Sequence, residues 1–400
     1  MGTSLDADAV VVVGAVRTPI GRLGGALAER SAVQLGAAAI AAALARSGVA
    51  AAQVDEVIMG HVLQAGCGLN PARQAALQAG LAVTVPAYTV NKVCASGLKA
   101  VALASQAVAA GDARVVVAGG MESMSGAPFL LRRARWGYRL GDDVLADVLL
   151  SDALQDPGLG CHMGVTAENL AGDYQLTRQV QDEYAATSQM RAAAARSAGF
   201  FTAEIVPVEA PAARGPAVVV SEDECIRPDT TPAGLARLKP AFRDDGTVTA
   251  GNASGINDGA AAVVLTTAVE AQRHGWPVWA RIVSHAAAGV EPSRMGLGPV
   301  PAVRRALQRA GLRLDQVDLL ELNEAFAAQA LAVMRELDAD PARVNVHGGA
   351  IGLGHPVGAS GARILVTLLH ALARRGARHG VAALCVGGGQ GLAVVVERLS

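Results

Sequence analysis

The chain has 400 residues, of which 52% are hydrophobic and only 3% aromatic, with 46 glycines and a formal charge of −1. That length accommodates two or three domains of ordinary size, and the core has to be built from Ala, Val and Leu with close backbone approaches. A charge this near zero excludes a general nucleic-acid or membrane-surface binder.

The five cysteines (Cys67, Cys94, Cys161, Cys225 and Cys385) are odd in number, scattered and without a CxxC pair. They fit neither a disulfide scaffold nor a zinc site, and they point to a reducing compartment. The opening "MGTSLDADAV" has no basic or long apolar region, so no signal peptide is expected, and Asp6 stands where a myristoylation motif wants Ser or Thr. The ending "ERLS" does not fit the peroxisomal tripeptide, and no apolar run approaches a membrane span. The expectation is a cytoplasmic protein that contacts neither nucleic acid nor membrane.

In chain order, "AVVVVGAV" (9–16) reads as a buried strand and "VQLGAAAIAAALARSGVA" (33–50) as a packed helix. "AAQVDEVIMGHV" (51–62) holds a short apolar strand, "AYTV" a second, and "LKAVALASQAVAAG" a helix running to the strand "ARVVVAGG". A different texture follows over 121–248. It holds most of the aromatics and Pro-rich turns such as "IRPDTTP", and reads as an inserted domain of loops and helices. "DGTVTAGNASGINDGAAAVVLTT" (245–267) then returns to a strand. The first plan now repeats. "LDQVDLLELNEAF" (314–326) resembles 51–62, and a second "ASG" opens "GASGARILVTLLHALARRGARHGVAALCVGGG". Helices between near-continuous apolar strands imply crossovers and mostly parallel sheets covered on both faces. The expected division is 1–120 plus 249–272 as the first half, 121–248 as the insert and 273–400 as the second half.

Reactive groups stand in Gly-rich contexts in "VCASG", "NEAFA", "GGAIGLGHPVGASG" and "CVGGGQG". Cys94, His355 and Cys385 all fall after strand ends in the repeat. Ligands collect at the carboxyl ends of such strands, so the three are expected to meet. Taken singly, each has an ordinary reading. A free cysteine is commonly a small buried hydrophobe, and Asn323 before Glu324 makes a good helix N-cap.

"NKVCASGLKA", "GGMESMS", "CHMGVTAENLA", "TVTAGNASGINDGAAA", "LNEAFAAQAL", "NVHGGAIGLGHPVGASGAR" and "LCVGGGQGLA" together resemble the signatures of the thiolase family, in the family's order and over essentially the whole chain. The resemblance implies an α/β thiolase fold. Two repeated βαβαβαββ halves pack in a five-layer α/β/α/β/α arrangement, with an inserted loop domain that binds coenzyme A. It implies a reversible Claisen condensation of two acetyl-CoA to acetoacetyl-CoA and coenzyme A, by a ping-pong route through acetyl-Cys94. The alternative is a broader-chain 3-ketoacyl-CoA thiolase of fatty-acid degradation. No metal or other cofactor is expected, coenzyme A and acyl-CoA being substrates, and the family implies a homodimer or homotetramer.

By the same resemblance Cys94 is the nucleophile, and a helix N-terminus lowers the pKa of such a thiol. His355 activates Cys94 and holds the thioester oxygen. Cys385 is the acid/base, a role that wants a pKa near working pH. Asn323 positions a water in one oxyanion hole, and the amides of Cys94 and Gly387 form the other. Ser254 meets the pantetheine arm, while His162, Met163, Met295 and Ala325 wall the acyl pocket. Arg227 matches a position facing the adenosine-phosphate end or is simply exposed, and Phe242 stacks on the ligand or serves the core. Glu122 organises structure. Lys92 either lowers the Cys94 pKa further or points to solvent. The stretch 129–160 resembles the part that closes the acyl pocket and shapes a tetramer.

Overall fold

The computed structural model describes residues 6–211 and 216–399. The expectations on the first five residues and on Ser400 lie outside them. The first half runs through β1 (Val10–Arg17), α1 (Ala32–Ser47), β2 (Glu56–Gly60), α2 (Pro71–Gln78), β3 (Ala87–Val90), α3 (Ser96–Ala110) and β4 (Val115–Ser123). Strand β4 therefore crosses residue 120. The following segment carries α4 (Met163–Asp173) and α5 (Arg178–Ser197), and β5 (Asn257–Thr267) closes the first half. The second half is β6 (Ala280–Gly289), α6 (Pro299–Ala310), β7 (Leu319–Leu322), α7 (Ala327–Leu337), α8 (Val357–Arg375), β8 (His379–Val386) and β9 (Gln390–Arg398). Local signals set these elements. At the start of α1, Ser31 and Gln34 cap each other's backbone N–H groups at 3.2 and 3.1 Å, and Gly48 ends the helix at φ 73°.

The strands form one sheet in the order β7-β8-β9-β6-β1-β5-β4-β2-β3, with Val11 paired to Arg281 and Val12 to Ala280 where the halves meet. The expected mostly parallel pairing is not what forms. Only β2/β3, β2/β4 and β7/β8 are parallel, while β1/β5, β4/β5, β6/β9, β8/β9 and β1/β6 are antiparallel. The reason is coverage: helices on both faces bury a strand fully in either direction, so β1, β4 and β8 read as unbroken apolar runs.

Helices α1 and α2 cover the outer face of the first half and α6 and α7 that of the second, each with its own apolar cluster. Helices α3 and α8 lie between the two half-sheets, which gives five layers. A helix in that position must be buried all round, and Val357–Leu372 of α8 is buried without interruption. The repeated "ASG" is where the two middle helices cross. A methyl group on Gly97 would stand 2.8 Å from Ala362 N, and one on Gly361 would stand 2.5 Å from Leu98 N. Two glycines in equivalent places let each helix press on the other's backbone. By length and composition alone Val93–Ala110 could cross a membrane, contrary to expectation, but its helix α3 fills this middle layer.

A buried charge cluster ties the inserted segment to β1. The Arg17 guanidinium, wholly buried, donates to Asp223 at 2.7 and 2.9 Å and to Glu204 at 2.6 Å. Removing one member of such a cluster leaves an uncompensated charge in the core.

Candidate active site

A cavity of about 360 Å³ opens between the middle-layer helix starts, the β8–β9 turn and the inserted segment. Cys94, His355, Cys385, Gly387, Ser254, His162, Met163, Phe242, Met295 and Ala325 line it, and so do Met124, Leu154, Ile256 and Val357. Asn323 and Arg227 are not on its wall.

Cys94 sits in the tight turn that leads into α3. Val93 before it has φ 48°, a left-handed conformation that costs a β-branched residue free energy. The Ser96 hydroxyl braces the turn, donating to Val93 O at 2.6 Å and accepting from Lys92 N at 2.8 Å. The expected lowering of the Cys94 pKa does not occur. Burial pushes the thiol up to about 11, against the pull of the Gly387 and Cys94 N–H groups, and the Glu122 charge adds to the rise. Lys92 is half-buried, and its ammonium donates to the Gln390 side chain.

His355 is buried just ahead of α8. Its backbone N–H donates to Asn257 Oδ1 at 2.8 Å, and its Nδ1 lies 2.5 Å from Ser360 Oγ. Burial, with the Arg363 charge second, depresses its pKa to about 3, so the resting imidazole is neutral. Cys385 lies within β8 rather than after it and is 1% exposed. Burial raises its thiol far above the ordinary range and the Cys94 charge raises it further, so it too rests protonated rather than near working pH. Gly387 opens the β8–β9 turn with its N–H directed at the Cys94 sulfur. A methyl group there would press on Met163 Cε at 3.3 Å.

Asn323 directly follows β7 and reaches the His355 ring. Its Nδ2 is 3.4 Å from His355 Nε2, and its Oδ1 has no hydrogen-bond partner among the described residues. The helix-cap reading fails: α7 begins at Ala327, beyond the uncapped Phe326. Neighbouring Glu324 does the bracing there, accepting from Tyr184, Ser188, Asn345 and the Ile351 N–H.

On the opposite wall His162 caps α4, its Nδ1 accepting from Gly164 N at 3.0 Å, and its ring stacks on Phe242 with centroids 4.6 Å apart. Burial lowers the His162 pKa. Phe242 meets Phe326 edge-on at 6.0 Å, so it serves both cavity wall and apolar cluster. The Ser254 hydroxyl donates to Ala325 O at 3.0 Å. Arg227 lies exposed, its backbone N–H held by Gln189 Oε1 at 2.8 Å.

Sequence alone passed over Asn257 and Ser360, although both stand in the Gly-rich blocks it singled out. Asn257 reaches from β5 across to His355, while its Nδ2 donates to Gly21 O at 2.9 Å. Glu122 does organise structure: it accepts from Val62 N, Leu63 N and Gly358 N, fastening the start of α8 to the loop after β2.

A cysteine at a helix start, a buried imidazole and a second thiol converge between two repeated α/β halves, a set of groups suited to an acyltransferase. Comparison with known proteins gives the family. Residues 10–269 match the thiolase N-terminal domain and 276–398 the thiolase C-terminal domain. The chain is 57% identical over 389 residues to an acetyl-CoA acetyltransferase of Pseudomonas aeruginosa, covering 97% of this chain and 99% of that protein. It is 58% identical over 391 residues to one of Escherichia coli, covering 98% and 99%. Among solved structures, the Bacillus anthracis acetyl-CoA acetyltransferase superposes with a TM-score of 0.96 at 48% identity, over 98% of this chain and 99% of that one. Human mitochondrial 3-ketoacyl-CoA thiolase in complex with CoA gives 0.94 at 44% identity, over the full length of both. The chain belongs to the thiolase family of acyltransferase enzymes and has the thiolase fold.

Proposed function

We propose that this thiolase is an acetyl-CoA C-acetyltransferase, joining two acetyl-CoA to acetoacetyl-CoA and coenzyme A and running the reverse. The observation that carries the reading is the convergence of Cys94, His355, Cys385 and the Gly387 N–H on one cavity. The close likeness to proteins named acetyl-CoA acetyltransferase supports the substrate.

His355 takes the Cys94 proton as the sulfur attacks the acetyl-CoA carbonyl, and the Cys94 and Gly387 N–H groups hold the oxyanion. Cys385 gives its proton to the departing coenzyme A sulfur, which leaves acetyl-Cys94, a Cys385 thiolate and a His355 imidazolium that keeps the Cys94 proton on Nε2. A second acetyl-CoA enters, Cys385 removes its methyl proton, and His355 with an Asn323-held water stabilises the enolate oxygen. Acylation prepares this step: a Cys94 thiolate opposes ionisation of Cys385, and an acetylated Cys94 carries no charge. The carbanion then attacks acetyl-Cys94 and releases acetoacetyl-CoA. Segment 121–248 holds coenzyme A. Ser254 meets its pantetheine arm, His162, Met163, Phe242, Met295 and Ala325 wall the acyl end, and exposed Arg227 meets the adenosine phosphates. The enzyme works in the cytoplasm as a homodimer or homotetramer, without a further cofactor.

The test is coenzyme A-dependent thiolysis of acetoacetyl-CoA beside 3-ketohexanoyl-CoA and 3-ketodecanoyl-CoA, followed by loss of thioester absorbance. Activity confined to the four-carbon substrate is expected. Equal or faster cleavage of longer chains makes the enzyme a broad 3-ketoacyl-CoA thiolase, and no cleavage of any removes the reading.

A further inference from the structure

We propose that Ser360 is a positioning residue that fixes His355 in the tautomer protonated on Nδ1, leaving the Nε2 lone pair to receive the Cys94 proton. This rests on the proposed role of His355 as the base for Cys94.

The Ser360 hydroxyl has one proton and two close neighbours. Its Oγ is 2.8 Å from Pro356 O, which can only accept, and 2.5 Å from His355 Nδ1, which can do either. Sending the serine proton to Pro356 O makes Nδ1 the donor to Oγ, and both contacts are then satisfied. A neutral imidazole carries a single N–H, and His355 rests neutral, so Nε2 is bare. The third neighbour, Asn323, does not discriminate. It presents its amide nitrogen almost equally to both ring nitrogens, 3.4 Å from Nε2 and 3.5 Å from Nδ1, so the Ser360 contact alone decides the tautomer.

The first half supplies an internal precedent. Ser96 holds the place in its "ASG" that Ser360 holds in the second. Val93 O accepts the Ser96 N–H at 3.0 Å and its hydroxyl at 2.6 Å, and Ser96 Oγ accepts an N–H in turn. Pro356 O likewise accepts the Ser360 N–H at 2.8 Å, with a further bond from Ala359 N at 2.9 Å. The repeat thus uses one serine device twice, with His355 Nδ1 in the place of the Lys92 amide. Ser360 is wholly buried and off the cavity wall, so it acts on substrate only through His355.

The test is nitrogen NMR of the full chain labelled with ¹⁵N-histidine, at neutral pH, with His355→Asn identifying the His355 signals by their loss. A pyrrole-like, protonated Nδ1 and a pyridine-like Nε2 are expected. A proton on Nε2, or on both nitrogens, overturns the proposal. The wild-type spectrum decides this even if Ser360→Ala fails to fold, and even if the protein shows no thiolysis. Where the variant folds, Ser360→Ala lowers kcat for acetoacetyl-CoA thiolysis by roughly 10- to 100-fold, the range for losing the orienting partner of a functional histidine, with KM unchanged. An unchanged kcat, or a loss confined to KM, also overturns it.

Discussion

Before α3 the Ser96 hydroxyl clamps a turn whose product is Cys94; before α8 the Ser360 hydroxyl clamps one whose product is His355. The backbone device is shared, but the reactive group sits two places ahead of the serine in the first half and five ahead in the second. Neither half alone is a site. Burial also acts on the two groups in opposite directions, pushing the thiol up to about 11 and the imidazole down to about 3. Both are thereby left neutral, because desolvation penalises whichever form is charged. The resting protein therefore holds neither a thiolate at Cys94 nor an imidazolium at His355.

The widest break in this comparison comes from Cys94→Ser, expected to slow acetoacetyl-CoA thiolysis by about 10⁴-fold or more. A rate near wild type would remove Cys94 from the chemistry. Cys385→Ala separates the two thiols: condensation falls by roughly 10²- to 10⁴-fold, while acetyl-CoA still acetylates Cys94, read by mass spectrometry of the intact chain. Loss of the acetyl-enzyme as well would merge the two roles. Asn257→Ala frees the His355 backbone from β5 and should cost roughly 10- to 100-fold in kcat by steady-state assay, as loss of an orienting partner does. An unaltered kcat would show that the Ser360 side of the clamp suffices.

The smallest effect is on stability against pH. Because the folded-state pKa of His355 lies below its ordinary value of about 6.5, the unfolded chain binds more protons as pH falls from there toward about 3. That stability is complete above the ordinary value and is lost on acidification. His355→Asn should therefore show a shallower drop in Tm between pH 7 and pH 5. Cys94 mirrors this, its folded-state value being raised: stability falls as pH climbs from the ordinary thiol value toward about 11, and less so in Cys94→Ser. Parallel Tm curves for variant and wild type would mean that burial does not bias these groups as described.

Much of this was legible because repetition is visible in a sequence. The paired "VD" strands and "ASG" helix starts placed Cys94, His355 and Cys385 at one end of two similar units, and the cavity holds all three. Strand direction was harder to read, since full burial erases the alternation that marks an antiparallel strand; "VGGGQG" between two apolar runs was the available hairpin signal. Ionisation was not legible either. A helix start is written in residue order, but the depth that outweighs its dipole arises only when the halves close. Asn257 and Ser360 were hidden for the same reason, their partners being defined by a fold and not by spacing.

The shared middle layer has a consequence for synthesis. Helix α3 needs α8 to cover it, and the two are separated by the whole inserted segment and half the second repeat. At about 5–20 residues per second on the ribosome, the first half waits tens of seconds with an apolar helix uncovered. The first half therefore cannot complete its core before α8 has been made, and until then it carries an apolar helix face that water must cover.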